Sequence, residues 1–339
     1  MVRLLCGFAM IALVACRATS APPDPKLIEW GWGTPFLQDM PNFLTQIQTL
    51  PFDGAIIDIA TPADGRGLSW TLFSAPPVPQ STWETLARDY SQIAWGRYTD
   101  NFLRMTVYPP ADLNWGDDWT PIYQNAEGLA RLAQELGFQG ILLDTEQYGG
   151  VSLFSSAHRP SPFTVTEYNA LAFANGQALM EAFERGYPEV TVMYTFALSV
   201  EPTKTQFEGY GYDLLFPFIE GMMAAADDNT RLIDGFEDSY IYQQEAQYQA
   251  ARARMDNPTR YNAAIPNRLE AGFGLWIDPV CGDGGLPPDG CGFSPAGFVE
   301  TVGYALKYSE SYVWVYSERI NWYTNQRIPP EWWAAMGDL

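Results

Sequence analysis

The sequence predicts a single (β/α)8 barrel of the α/β class, in which eight parallel strands close into a cylinder surrounded by helices. Its 339 residues with 47% hydrophobic content suffice for one such domain, which commonly uses about 250 residues or more. Short apolar segments alternate with longer amphipathic ones between residues 27 and 322, without an internal repeat or linker. The G-x-G-x-x-G motif of open nucleotide-binding sheets does not follow the first strand. The closed barrel is therefore preferred over the open sheet.

Eight short segments of the chain have the composition of buried strands. They are rich in β-branched, aliphatic and aromatic residues, and turn-forming residues separate them from the helical segments. They are LIEWGWG at 27–33, GAIIDIA at 54–60, FLRMTVY at 102–108, GILLDTE at 140–146, VTVMYTF at 190–196, RLIDGFE at 231–237, AGFGLWID at 271–278 and YVWVYSE at 312–318.

Several segments between these strands have helical spacing. In residues 125–137 the apolar side chains share one helix face, and Gly137 stands just past the end as a stop signal. In residues 163–186, Thr164 or Thr166 can cap the start of a second helix. These segments are the predicted outer helices of the barrel.

One segment, YDLLFPFIEGMMAAADD at residues 212–228, is open to two interpretations. It predicts the helix after the fifth strand, with Pro217 near the first turn. The stretch DLLF could instead form a ninth strand. The helix is preferred because it keeps the strand count at eight.

The N-terminus predicts an export signal and a tether. Residues 1–16 combine an early positive charge with an apolar run too short to span a membrane stably, and their last four residues, LVAC, resemble the lipobox of bacterial lipoproteins. Cys16 would then carry the lipid that anchors the protein to the membrane, residues 17–26 would form the tether, and residues 27–339 the barrel. This predicts a lipoprotein of the bacterial cell envelope, in the outer membrane or facing the periplasm. Secretion with cleavage after Ala21 is the alternative.

Cys281 and Cys291 enclose a loop rich in Gly and Pro. In the oxidising compartment that export implies, a disulfide between them would close this loop and limit its freedom in the unfolded chain. Metal ligation by the two cysteines together with Asp283 and Asp289 is the alternative, and it lacks support from histidine.

The charge balance and the aromatic content point to a class of ligand. The chain has 19 Lys and Arg against 40 Asp and Glu, a net charge of -21, and such a surface repels the phosphates of nucleic acid. Aromatic residues make up 15% of the chain, and exposed aromatic faces suit the apolar faces of sugar rings. The expected partner is therefore a polysaccharide or oligosaccharide rather than nucleic acid.

Polar groups at the C-terminal ends of the strands line the functional site of a closed α/β barrel. Six of the eight predicted strands end in carboxylates, and tryptophans lie near the ends of the first, seventh and eighth. The residues predicted to contact a substrate are Trp30, Trp32, Asp58, Tyr148, Trp276, Glu318 and Trp322. Asp238 and Asp278 are assigned to caps or turns instead, because turn-forming residues follow them.

Asp144 and Glu146 are the strongest chemical signal in the sequence. Side chains two residues apart on a strand share a face, and at the end of the fourth strand that face is the barrel lumen or its mouth. Two adjacent carboxylates in a partly dehydrated pocket repel each other, which raises the pKa of one and leaves the other ionised. A raised carboxyl can protonate a glycosidic leaving group if a second carboxylate lies across the sugar. Glu237 or Glu318 could supply the second carboxylate.

Other catalytic chemistries lack the residues that they need. The chain has one histidine, His158, so neither a histidine metal cluster nor a base for a serine nucleophile is available. Neither a G-x-S-x-G motif nor a phosphate-binding loop occurs. An all-carboxylate magnesium or calcium site is the alternative, although no spacing in the sequence requires one. The sequence otherwise predicts catalysis by carboxylates without a cofactor or a metal.

With these residues the chain resembles the TIM-barrel glycoside hydrolases. The resemblance lies in LLDTE on strand four, LIDGFE on strand six and the tryptophans at the strand ends. In chitinase-like barrels the last Glu of the strand-four motif is the acid and the Asp two residues before it tunes that acid, which implies these roles for Glu146 and Asp144. Barrels of the α-galactosidase and α-amylase groups have a nucleophilic Asp on strand four and the acid on strand six. That variant implies that Asp144 attacks and that Glu237 or Asp238 donates the proton.

Two functions from different classes fit the sequence. The first is a lipid-anchored glycoside hydrolase acting on an extracellular or periplasmic polysaccharide or oligosaccharide, with Glu146, Asp144 and Glu237 as catalytic residues. The second is a surface glycan-binding lipoprotein that uses the same barrel without turnover. A pocket in which Glu146 faces Glu237 or Glu318 across open space favours hydrolysis, whereas outward-pointing or salt-bridged side chains favour binding alone.

Overall fold

The computed structural model describes residues 24–60, 67–148, 152–158, 163–199, 211–257, 268–278, 293–326, 328–337 and 339. In these ranges the chain forms a nearly closed barrel of parallel strands with helices between them. The predicted (β/α)8 barrel is confirmed.

All eight predicted strands occur, and one of them is divided in two. The segments are β1 (Lys26–Gly31), β2 (Gly54–Ile57), β3 (Phe102–Thr106), β4 (Gly140–Asp144), β5 (Thr191–Tyr194), β6 (Arg231–Asp234), β7 (Leu269–Ala271), β8 (Phe273–Trp276) and β9 (Tyr312–Ser317). Most of them end two or three residues before the predicted boundary. The chain diverges at these points, so the last residues of each apolar run lie beyond the paired part of the sheet.

The divided strand closes the barrel. The sheet order is β7-β6-β5-β4-β3-β2-β1-β9-β8, and Gly272 alone separates β7 from β8 in the chain. β7 pairs with β6, where Ile233 lies opposite Glu270, and β8 pairs with β9, where Gly274 lies opposite Trp314. The predicted seventh strand therefore changes its partner at Gly272.

A helix follows each strand position in the described part of the chain. These helices are α1 (Leu44–Ile47), α2 (Gln80–Tyr90), α3 (Thr120–Glu135), α4 (Val165–Gly186), α5 (Leu215–Ala225), α6 (Glu245–Met255), α7 (Pro295–Tyr308) and α8 (Pro330–Met336). They cover the outside of the sheet, which leaves the C-terminal ends of the strands open to form a site.

The structure confirms three predictions about these helices. After α3, Gly137 adopts a left-handed φ of 72°, which glycine accepts at little cost. At α4 the hydroxyl of Thr164 accepts the N–H of Glu167, and the Glu167 carboxylate accepts the N–H of Thr164, a reciprocal cap. The ambiguous segment 212–228 contains helix α5, with Pro217 in its first turn.

Strand side chains alternate between two cores. The inner core fills the lumen with Ile28, Trp30, Ile56, Phe102, Leu142, Met193, Ile233, Tyr312 and Trp314. The outer core packs the opposite strand face against the helices. Because side chains alternate, the inward face of each strand continues to the mouth of the barrel, where polar side chains replace apolar ones.

The predicted lipid anchor at Cys16 and the predicted disulfide between Cys281 and Cys291 lie outside the described residues. They stay predictions. Among the residues that the structure describes, no helix combines the length and the apolar character needed to cross a membrane.

Glu29 interrupts the apolar outward face of β1. Its side chain is buried and accepts hydrogen bonds from the hydroxyls of Thr34 at 2.9 Å and Tyr323 at 2.8 Å. Burial raises the pKa of Glu29 to about 7, although these hydrogen bonds act in the opposite direction. Glu29 does not line the cavity described below, so its raised pKa concerns stability.

Glu29→Gln is expected to reduce the loss of stability between about pH 5 and about pH 8. The folded-state pKa lies above the unfolded one, so the stability that Glu29 contributes is present below its unfolded pKa and is lost as the pH rises through about 7. The shift corresponds to at most about 3 kcal/mol. The fall in melting temperature from the lower to the higher pH should be smaller in Glu29→Gln than in the wild type by several degrees. Equal losses in wild type and variant would contradict this account.

Candidate active site

A cavity of about 740 Å³ opens at the C-terminal ends of the strands. Small-molecule sites typically have about 300–1,000 Å³, and this end of the barrel is where such folds place their active sites. The aromatic side chains of its lining are Trp30, Trp32, Phe36, Trp70, Tyr108, Tyr148, Tyr240, Trp276 and Tyr316. The charged ones are Asp58, Arg104, Glu146, Glu237 and Glu318.

β4 directs two carboxylates toward this cavity. Leu142 belongs to the inner core, so alternation turns Asp144 and Glu146 to the same side. Asp144 is fully buried, whereas Glu146 is partly exposed and lines the cavity. The two carboxylates share a face as the sequence predicts, but they lie at different depths.

Tyr148 connects the two carboxylates. Its hydroxyl donates to Glu146 Oε2 and lies 3.1 Å from Asp144 Oδ2, while the backbone N–H of Glu146 donates to Asp144 Oδ1 at 3.3 Å. A phenol has one proton, so both of its contacts are hydrogen bonds only when one carboxyl is protonated. The arrangement is therefore suited to a carboxyl pair that shares a proton through a tyrosine.

Burial raises the pKa of Asp144 to about 7, and the negative charge of Glu146 adds to the increase. The Arg104 guanidinium, the backbone N–H of Glu146 and the Tyr148 hydroxyl oppose it. Asp144 therefore exchanges its proton near neutral pH, next to the carboxylate that faces the cavity.

Glu237 reaches the same cavity from the turn after β6. The strand ends at Asp234, and Phe236 has a left-handed φ of 39°, which is uncommon for a bulky residue and clusters at functional sites. Gly235 permits the backbone of this turn to approach the backbone of Tyr194, because a Cβ at position 235 would lie 2.3 Å from the carbonyl oxygen of Tyr194. The turn places Glu237 in the cavity lining.

Nearby phenols indicate that Glu146 and Glu237 converge. Burial raises the pKa of Tyr240 well above its usual range, and the charges of Glu237 and Glu146 raise it further. After burial, the same two charges also raise the pKa of Tyr212. Coulomb interactions weaken with distance, so both carboxylates lie near the same side chains.

Asp58 and Arg104 form an ion pair in the cavity wall. Arg104 Nη2 lies 2.8 Å from Asp58 Oδ2, and their side chains are 8% and 13% exposed. Asp58 also accepts the hydroxyl of Ser69 at 2.7 Å and the backbone N–H of Ser69 at 3.2 Å. Asp58 thus lies at the site as predicted, but its oxygens already accept hydrogen bonds from protein groups.

Aromatic rings form the remaining walls. Trp32 is 60% exposed and stacks on Trp70, with ring centroids 6.3 Å apart and an interplanar angle of 4°. Trp30 lies deeper, with the Arg104 guanidinium 5.6 Å from its ring centroid. Trp276 packs on Tyr240 at 5.8 Å. Such faces suit a ligand with apolar ring surfaces.

Two predicted site residues lie away from the cavity. Trp322 is buried in the outer core, where its indole N–H donates to the Ser317 hydroxyl at 2.9 Å and its ring packs on Phe52 at 5.3 Å. Trp322 therefore does not line the cavity. Asp144 lies beneath the cavity and contacts Glu146 and Tyr148 instead of lining the site.

Five lining aromatic residues, Phe36, Trp70, Tyr108, Tyr240 and Tyr316, are absent from the sequence prediction. Tyr316 was detectable, because it precedes Glu318 by two residues and shares its face of β9. Trp70 lies in a short 3-10 helix (Leu68–Thr71), and Tyr240 follows the turn after β6. No local sequence pattern indicates the position of either residue.

The chemistry available in this cavity is proton transfer and nucleophilic attack by carboxylates. His158 does not line it and shares a hydrogen bond with the Ser155 hydroxyl at 2.9 Å. In the described ranges, no group of three or more His, Cys, Asp or Glu side chains is arranged to hold a metal ion.

Comparison with known proteins finds similarity in solved structures. No protein-family model and no curated protein matches the chain. A GH5_18 protein from Streptomyces cattleya, solved in complex with GlcNAc, has a TM-score of 0.50 and 15% identity, over 94% of this chain and 80% of that one. A 3-keto-D-glucoside 4-epimerase from E. coli has a TM-score of 0.45 and 14% identity, over 92% and 97%. A GH18 chitinase from Pseudoalteromonas aurantia has a TM-score of 0.44 and 10% identity, over 92% and 99%.

At these identities the likeness shows the fold alone. The similar structures include both glycoside hydrolases and sugar epimerases. The chain is a TIM barrel, the fold that these carbohydrate enzymes share.

Proposed function

We propose that the protein is a glycoside hydrolase that cleaves a polysaccharide or oligosaccharide by carboxylate acid/base catalysis. The observation that carries the proposal is the presence of Glu146 and Glu237 in one cavity with aromatic walls. Most glycoside hydrolases flank the scissile bond with two carboxyl groups of different roles. The barrel fold is compatible with this activity, because a GH5_18 protein is among the similar structures.

Glu146 is the proton donor in this proposal. It is the member of the β4 pair that lines the cavity, and Tyr148 and Asp144 hold it from below. When Glu146 gives its proton to the leaving oxygen, the Tyr148 hydroxyl stabilises the carboxylate that forms. The alternative with Asp144 as the nucleophile is disfavoured, because Asp144 is fully buried and does not line the cavity.

Glu237 is the opposite carboxylate. As the glycosidic C–O bond breaks and the leaving oxygen takes the proton of Glu146, Glu237 either attacks the anomeric carbon or removes a proton from the water that attacks it. The first route passes through a glycosyl enzyme that water then hydrolyses, with Glu146 as the base. The second route inverts the anomeric carbon directly. In both, one water is consumed. In the first route the water returns a proton to Glu146, and in the second the proton that Glu237 has taken is exchanged with solvent while Glu146 takes up another.

The proposal includes export and anchoring. Residues 1–16 would direct the chain across the inner membrane of a bacterium, and a lipid on Cys16 would hold the barrel at the cell envelope. A polymeric sugar outside the cytoplasm is the substrate that this location makes accessible.

The test is release of reducing sugar from a panel of glucans, galactans, arabinans and chitin. The purified protein is expected to act on at least one of them, and Glu146→Gln is expected to lower the rate by about 10²- to 10⁴-fold. Glu135→Gln is the matched control, because the same change occurs on an exposed side chain of α3. If no sugar is released and both proteins are retained on one polysaccharide, the protein binds glycans without cleaving them.

A further inference from the structure

We propose that the sugar bound in this cavity carries a free ammonium group and that Glu318 is the residue that binds it. The substrate class would then be an unacetylated amino sugar or a glycan that contains one. This inference rests on the proposed function, since it names the substrate of the same site.

Negative charge exceeds positive charge in the described cavity lining, where Arg104 is the one Lys or Arg side chain. Arg104 is paired with Asp58 at 2.8 Å, so these two charges compensate each other. Hydrolysis as proposed uses Glu146 with its proton and Glu237 as the anion. Glu318 is then a further carboxylate in the lining, and bond cleavage gives it no role.

Glu318 is held in place at the end of β9. Asp278 accepts the backbone N–H groups of Glu318 at 2.8 Å, Arg319 at 2.6 Å and Ile320 at 2.8 Å, which fixes the turn that follows the strand. The sequence assigned Asp278 to a cap or turn but did not indicate this turn. A carboxylate on a fixed turn can bind a ligand without first being ordered.

One oxygen of Glu318 needs a donor. Its Oε2 atom is buried and has no hydrogen-bond partner among the residues that the structure describes. A buried carboxylate oxygen without a donor is costly, because burial removes its water and supplies nothing in return. Glu318 also lines the cavity, and a ligand cation beside its carboxylate would offset the charge that burial leaves without a donor.

The surroundings of Glu318 favour a cationic donor over a hydroxyl. A hydrogen bond between two charged groups is roughly twice as strong as one between neutral groups. Tyr316 precedes Glu318 by two residues, stacks on Tyr240 at 5.7 Å and packs on Trp276 at 5.8 Å, and ring faces of this kind attract ammonium groups. The net charge of -21 also concentrates cations near the protein and repels acidic sugars.

The experiment is a binding measurement on the full chain, followed by tryptophan fluorescence because four tryptophans line the cavity. The probes are D-glucosamine and D-galactosamine, each compared with its 2-hydroxy and N-acetyl counterpart near pH 6, where the amine is protonated. The amino sugars are expected to bind about tenfold more tightly, as for a gain of one charge-assisted hydrogen bond. In Glu318→Gln the ratio of amino-sugar affinity to neutral-sugar affinity is expected to fall to about one. Glu135→Gln, which removes an equal charge from an exposed position, should retain the preference.

Several outcomes would overturn the inference. They are absence of binding by either amino sugar, equal or tighter binding of the neutral counterparts, and a preference that survives in Glu318→Gln. An equal loss for amino and neutral sugars in Glu318→Gln would assign Glu318 to hydroxyl groups and also overturn it. The readout does not depend on turnover, so hydrolysis of neutral glycans alone contradicts this inference but not the proposed function. Binding of amino sugars without sugar release from any glycan would contradict the proposed function but not this inference.

Discussion

Glu146→Gln is expected to abolish cleavage of glycosides with poor leaving groups and to spare most of the cleavage of glycosides with good ones. An alcohol leaving group needs a proton as the C–O bond breaks, so loss of the acid should cost about 10²- to 10⁴-fold in kcat/KM. A dinitrophenyl leaving group departs as a stable anion, so its kcat/KM should fall by less than about tenfold. The measurement is kcat/KM for an oligosaccharide and for the dinitrophenyl glycoside of the same sugar.

The comparison depends on kcat/KM because this parameter reports the step in which the first bond breaks. Glu135→Gln, on the exposed face of α3, should leave both values unchanged. Equal losses for the two leaving groups would mean that Glu146 acts at the anomeric carbon. The assignment of Glu146 as the acid would then be wrong.

Glu237→Gln is expected to lower kcat/KM by at least about 10³-fold for both leaving groups. Glu237 lies in the cavity lining, and in the proposed reaction it acts at the anomeric carbon or on the attacking water, where the leaving group makes no difference. The measurement is the same pair of kcat/KM values. The matched control is Asp238→Asn, since Asp238 is the next residue, is exposed and does not line the cavity.

The control also tests the arrangement in which the acid comes from strand six. If Asp238→Asn lost activity on the poor leaving group and kept it on the good one, Asp238 would be the proton donor. If Glu237→Gln retained wild-type activity, another lining residue would have to be the carboxylate opposite Glu146. Glu318 would be the candidate, because it lines the cavity and its Oε2 atom has no partner among the described residues.

The fold was predictable because its signals are local. Apolar runs bounded by turn residues located the strands, and the cap at Thr164 and the stop at Gly137 located helix ends. The division of the seventh strand at Gly272 was not predictable. It depends on which strands pair on either side of that residue, and those partners are distant in sequence.

The sequence indicated which way the side chains of the candidate site point but not how deeply each one is buried. The alternation of strand side chains placed Asp144 and Glu146 on one face, yet it could not indicate that only Glu146 reaches the cavity. The sequence also could not reveal that Asp58 is occupied by Arg104, which is 46 residues away. Trp322 lies in the outer core, and the spacing after a strand does not show whether a side chain faces the cavity or that core.

The central claim is that Glu146 and Glu237 act on the two sides of one glycosidic bond. The most direct test is a crystal structure of Glu146→Gln with an oligosaccharide that the wild type cleaves. The account predicts a glycosidic oxygen within hydrogen-bond distance of the side chain at position 146, with the adjoining anomeric carbon facing the Glu237 carboxylate. A sugar bound outside this cavity, or in it with Glu237 turned away from the anomeric carbon, would contradict the account.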